Sequence, residues 1–159
     1  MKRVILMFFA FVVVLNSYGQ EESKRNFNFI ILIDGNVPFQ GDVNLQFVIE
    51  NKKLDTIRVG YIPGDIVLEE SGLSKIISIE TKSINLEIYY SRMFENKIKS
   101  YNYKIDFKQS WFKNSFNILR IYNLDNKKNK KTFIPIDGLK YIYELDSPNG
   151  SIIRLKKKN

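Results

Sequence analysis

The sequence predicts an all-β fold: a single antiparallel β-sandwich domain, with a β-barrel as the second choice. Three observations carry this expectation. Apolar residues recur at every second position over most of the chain, the pattern of strands with one buried face. Turn signals built on Gly, Pro, Asn and Asp interrupt that pattern about every 8–15 residues. No stretch of 12 or more residues combines helical spacing with a cap.

Taken in order, Phe27, Phe29, Ile31 and Ile33 point one way in the first strand, and Asp34-Gly35-Asn36 ends it as a turn. The rhythm returns with Val43, Leu45, Phe47 and Ile49 set against Asn44, Gln46 and Glu50. Polar Asn51-Lys52-Lys53 leads to a strand over Thr56–Tyr61, and Pro63-Gly64-Asp65 turns the chain into the short apolar piece Ile66-Val67-Leu68. After the break at Glu69-Glu70-Ser71-Gly72 comes a second short apolar piece, Ile76–Ile79. In the next strand Ile84, Leu86, Ile88 and Tyr90 alternate with Asn85, Glu87 and Tyr89. The cleanest pattern runs from Lys99 to Lys108, with Tyr101, Tyr103, Ile105 and Phe107 on one face. Phe116–Tyr122 is a further strand, followed by a basic loop, Asp125–Lys131. In the short piece Thr132–Ile136, Pro135 marks a strand end or sheet edge. A hairpin closes the chain: Leu139, Tyr141, Tyr143 and Leu145 enter, Ser151–Leu155 return, and Asn149-Gly150 between them suits the positive φ of a tight turn. There is no internal repeat, low-complexity linker or second domain.

The first residues set the expected compartment. Lys2 and Arg3 precede an apolar run of 12 residues, Val4 to Leu15, and small residues Ser17 and Gly19 follow at the −3 and −1 positions of a cleavage site. A spanning helix needs about 20 apolar residues, so residues 1–19 read as a secretory signal peptide. No cysteine follows to carry a lipid, so the expected protein is exported, periplasmic or extracellular, and not a lipoprotein. The expected organisation is a signal peptide at 1–19, a flexible leader at 20–26, the β domain at 27–155 and a basic tail at 156–159. Cleavage leaves 140 residues with 23 basic and 17 acidic side chains, a net charge of +6. That charge favours solubility and loose attraction to polyanions without naming a partner.

Several chemistries are closed. With no histidine and no cysteine, Ser-His-Asp and Cys-His catalysis, imidazole or thiolate zinc sites and thiol redox pairs have no side chains to work with. Ser110-Trp111-Phe112-Lys113 has S-x-x-K spacing, but it falls between strands, and Lys131-Thr132 is followed by Phe133 where the companion motif needs glycine. Carboxylates sit in turns (Asp34, Asp65, Asp137) or on outward positions (Glu87, Asp106, Glu144), which is ordinary solvation rather than a glycosidase pair. The acidic turn Asp146–Gly150 matches no calcium loop. Asn149-Gly150-Ser151 forms a glycosylation triplet that the turn explains without sugar. No catalytic residue, metal or cofactor is expected.

Binding candidates remain. Trp111-Phe112 breaks the alternation between two strands; an exposed pair there would stack on a sugar or anchor a protein, whereas a buried pair would plug one end of the core. Lys127, Lys128, Lys130 and Lys131 form one basic cluster, and Lys156, Lys157 and Lys158 another. They read as a solvated loop and tail or as a polyanion contact.

The stretch Ile31–Ile49, with Pro38-Phe39-Gln40-Gly41-Asp42-Val43, resembles the opening of prealbumin-like (carboxypeptidase-regulatory-like) secreted domains: strand, short turn, Pro-x-x-Gly, then a strand beginning with valine. The Thr-Asp-x-x-Gly turn those domains carry next has only a loose counterpart in Leu54-Asp55-Thr56 and Gly60. The resemblance implies an immunoglobulin-like or prealbumin-like sandwich serving as a non-catalytic binding or assembly module. The expected function is therefore an exported, non-catalytic interaction module of the bacterial cell envelope whose partner is an envelope or extracellular protein or glycan. The alternatives are a carbohydrate-binding or carbohydrate-active protein and a polyanion or membrane-surface binder working through the lysines. Specific nucleic-acid binding is not expected, since Tyr101, Tyr103 and Phe107 face away from Lys104 and Lys108.

Overall fold

A computed structural model describes residues 23–51, 53–94 and 96–157. The expected signal peptide, the first three residues of the leader, and Lys158 and Asn159 lie outside the described residues. The all-β expectation is met by a single eight-stranded sheet curled into a nearly closed barrel. Its strands are β1 (Lys24–Ile33), β2 (Val43–Glu50), β3 (Leu54–Ile62), β4 (Asp65–Glu69), β5 (Ser83–Phe94), β6 (Lys97–Asp106), β7 (Asn117–Asn123) and β8 (Tyr141–Asp146), in the spatial order β6-β5-β2-β3-β4-β1-β7-β8. Two short helices, α1 (Glu70–Ile77) and α2 (Lys127–Thr132), and 3-10 turns at Gln40–Asp42 and Gln109–Lys113 fill the connections.

The alternation assigns side chains to the barrel interior as expected. Ile31, Phe47, Ile49, Leu86, Ile88, Ile105, Leu119 and Ile121 are fully buried, and each such side chain is worth roughly 1.5–3 kcal/mol of burial. Strand β2 begins at Val43, directly after the 3-10 turn at Gln40–Asp42. Asp34 and Gly35 both take positive φ (51° and 85°), and Ile33 and Asn36 exchange backbone hydrogen bonds of 2.8 and 3.0 Å across them. This two-residue turn suits Asp-Gly.

Four expectations need correction. The sheet is not wholly antiparallel: β1 pairs antiparallel to β4 through residues 24–28 but parallel to β7 through residues 29–33. Alternation reports which face a residue takes, not which way the neighbouring strand runs. The leader is not wholly flexible either, since Lys24, Arg25 and Asn26 pair with Glu69, Leu68 and Val67, and Arg25 Nε lies 2.8 Å from Glu70 Oε1. Backbone pairing needs no apolar side chain, so the polar stretch concealed it. Ile76 and Ile77 belong to α1, which buries Gly72, Leu73 and Ile76. Finally, the closing hairpin reduces to β8 and a single bridge, Leu145 to Ile152.

The two barrel ends differ. At one end the 3-10 turn after β6 drives Trp111 inward, where its ring meets Phe107 edge-on at 4.8 Å, and Phe112 packs on Phe27, Phe47 and Phe107. Aromatic contacts of this geometry add to area burial. The other end carries the β1–β2 turn, the β5–β6 hairpin and α2, and it opens into a cleft.

Candidate functional site

The open end is built around Asp34. Its Oδ1 accepts from the Asn123 backbone N–H (2.9 Å) and Asn129 Nδ2 (2.6 Å), and its Oδ2 accepts from Asn123 Nδ2 (2.9 Å). Asn123 Oδ1 in turn accepts from the buried Tyr103 hydroxyl at 2.9 Å. Buried polar groups need such partners, and the network fixes three segments together: the β1–β2 turn, the end of β7, and α2 through Asn129.

Above this floor lies a cleft of about 330 Å³ with Tyr90, Tyr101, Arg92, Lys99, Asn36 and Asp125 among its lining residues. Tyr90, Tyr101 and Tyr103 stack in a row with centroid spacings of 6.1 and 6.0 Å. The Tyr101 hydroxyl donates to Asp125 Oδ2 at 3.0 Å, and Lys99 Nζ stands 4.0 Å from the same oxygen. Partial burial, reinforced by the Asp125 carboxylate, pushes the Tyr101 hydroxyl up to about 12. A tyrosine so held is a neutral donor at ordinary pH, not a general base. The Asp34 carboxylate is already occupied by three N–H donors, and among the described residues no group of three or more acidic side chains is placed to hold a metal ion.

The lysines are the part of the site that the sequence named and the fold assembles. Lys127, Lys128, Lys130 and Lys131 form α2 rather than a loop, capped by the Asn126 side chain, which accepts from the Lys128 N–H at 3.0 Å. The C-terminal segment returns along this helix. Phe133 bridges to Lys156, the Lys157 N–H donates to Thr132 O at 2.8 Å, and Lys157 Nζ donates to Lys130 O at 2.9 Å. Clusters 25 residues apart in sequence therefore form one patch in space. All six lysines are exposed, and among the described residues none of them is in an ion pair. The patch adjoins the cleft, because Asp125, which meets Lys99 and Tyr101, lies two residues before α2. Lys158 lies outside the described residues.

Trp111 and Phe112 do not belong to this site. Trp111 is 6% exposed and Phe112 is half-buried against the core, both at the opposite end of the barrel. The exposed-pair reading is corrected: the alternation breaks there because the chain makes a 3-10 turn that points Trp111 into the interior. The residues that sequence reasoning missed are Asp34, Asn123 and Asn129. One signal existed, since Asn123 continues the inward series Asn117, Leu119, Ile121 of β7, and an amide at an inward position needs buried partners.

Comparison of the chain with family models, curated proteins and solved structures finds no match. Among the described residues no helix is long and apolar enough to cross a membrane.

Proposed function

We propose that the protein is an exported, non-catalytic binding module that engages an anionic partner in the cell envelope through the basic end of its barrel. The observation that carries this reading is the merging of the Lys127–Lys131 and Lys156–Lys157 clusters into a single exposed patch beside the cleft. Scattered surface lysines are an ordinary solubilising device, but cations held on one face by backbone pairing focus a potential that attracts polyanions. The absence of histidine and cysteine and the full hydrogen bonding of Asp34 support a role without turnover. Retention on heparin tests the reading. The parent chain should be held at low salt and released as salt rises, and Lys127→Gln/Lys128→Gln/Lys130→Gln/Lys131→Gln should elute markedly earlier with unchanged stability. Equal elution of the two would refute it.

A carbohydrate ligand is the second reading, favoured by the cleft with its stacked Tyr90 and Tyr101 rings and neighbouring amides. Glycan-array binding that disappears in Tyr101→Ala would support it.

A further inference from the structure

The β5–β6 hairpin is longer than the barrel needs. Strand β2 follows β5 only as far as Val43 opposite Tyr90. Beyond that point Ser91–Phe94 and Lys97–Ser100 pair only with each other, so the hairpin projects past the open end as a two-stranded arm. Alternation should give such an arm polar side chains on both faces. Instead Met93 and Ile98 sit directly opposite one another on the outer face, 70% and 71% exposed. On the other face Arg92 is directly opposite Lys99, and Lys97 follows at the tip. Two cations facing each other across strands repel. Asp125, 4.0 Å from Lys99 Nζ, offsets part of that repulsion.

We infer that this arm docks the protein on an anionic lipid surface, Met93 and Ile98 entering the boundary between headgroups and acyl chains while Arg92, Lys97 and Lys99 meet lipid phosphates. The proposal rests on the anionic-partner reading above and narrows it to one partner. A narrow two-stranded arm that enters tip-first carries its apolar outer face and its cationic opposite face into the interfacial zone of a bilayer together, where burial of the apolar groups and attraction of the charges both act. A soluble acidic polymer would use the cations and leave Met93 and Ile98 in water. The α2 lysines lie next to the arm's base through Asp125, so they extend the same charged surface towards the membrane.

The test is co-sedimentation of the protein, purified after export, with vesicles of phosphatidylcholine alone or of equimolar phosphatidylcholine and phosphatidylglycerol. Binding is expected only with the anionic vesicles, and Met93→Ser/Ile98→Ser should lower it about tenfold or more, the change expected from withholding two apolar side chains. The same variant should elute from heparin with the parent. If it binds anionic vesicles as the parent does, the arm does not insert and the proposal fails, while the charge reading stands. Parent chain held by heparin but not by either vesicle also overturns the proposal, in favour of an acidic polysaccharide. Failure to bind heparin and vesicles alike removes both readings. Unchanged near-ultraviolet circular dichroism, with Trp111 buried at the far end as its reporter, would show that the variant is folded.

Discussion

The Tyr141 hydroxyl accepts from the Lys104 backbone N–H at 2.8 Å and donates to the Lys104 carbonyl at 2.7 Å. One side chain thus takes the place of a missing strand partner. Strands β6 and β8 are the two ends of the sheet, and Tyr141 bridges them where the barrel would otherwise gape, its ring packed edge-on to Tyr103 at 5.1 Å. Tyr141→Phe keeps the ring and removes both hydrogen bonds. It should cost on the order of 1–3 kcal/mol, because two backbone groups lose a buried partner. Urea denaturation measures this, and a midpoint equal to the parent's would mean that water closes the seam equally well.

The buried tyrosines also set an alkaline limit. Burial pushes the Tyr61 hydroxyl up to about 12, burial with Asp125 does the same for Tyr101, and burial raises Tyr103 and Tyr141 as well. In the unfolded chain a tyrosine titrates near 10. Between the two values the unfolded state binds fewer protons than the folded one, so stability falls as pH rises. It should be flat with respect to these groups below about pH 10 and decline steeply from there towards 12. Guanidinium midpoints across that window provide the check, and Tyr103→Phe should flatten part of the slope. A decline that begins well below this window would point to groups other than these tyrosines.

Asp34→Asn separates the turn from the network. Asparagine tolerates the positive φ of 51° as aspartate does, so the backbone turn survives. The new amide, however, places a donor among three donors that now share one carboxylate. The expected loss is about 2–3 kcal/mol. Since Asn129 tethers α2 to Asp34, amide exchange in α2 should quicken more than in β2. Uniform quickening would mean that the network holds no particular element.

What could be read from the sequence was facing. The inward series Ile84, Leu86, Ile88, Tyr90 and Tyr103, Ile105, Phe107 is buried as alternation dictates. Features that depend on distant partners could not be read. Helix α1 is eight residues long, and its buried Leu73 and Ile76 need the sheet beneath them. The projecting arm escaped because Met93 and Ile98 put apolar side chains on the outer face and so broke the rhythm that marks a strand. The lysine clusters were visible as letters, but their convergence required the bridge from Phe133 to Lys156, a pairing no local pattern encodes.

Gly72 gives a prediction in which two effects compete. It lies in α1, where alanine would favour the helix by about 1 kcal/mol. A Cβ there would come within 2.8 Å of Ile57 Cγ2 on β3, a branched carbon that cannot withdraw without changing rotamer. Overpacking of this kind costs about 1–3 kcal/mol, so the clash should win and Gly72→Ala should be destabilised. Ile57→Ala in the same chain removes the obstructing carbon, and the double variant should lose less than the two single losses added together. Strict additivity would show that the helix shifts freely over the sheet.

Trp111 tests the division between the two barrel ends. Its ring is buried against Phe107, and its carbonyl accepts from Asn117 Nδ2 at 3.0 Å, within a chain of amides that runs through Asn114 to Asn149. Gln109 ties the same turn to the end of α1 by donating to Ile76 O and Ser78 O at 2.9 and 3.2 Å. Trp111→Ala leaves the backbone bonds in place and empties the ring's site, so it should cost about 3–5 kcal/mol. The milder Trp111→Phe should stay folded and elute from heparin with the parent, because the described lysines of the patch lie at the other end of the barrel. Earlier elution of a folded Trp111→Phe would mean that the plug and the basic end are coupled, and that the barrel transmits a change at one mouth to the other.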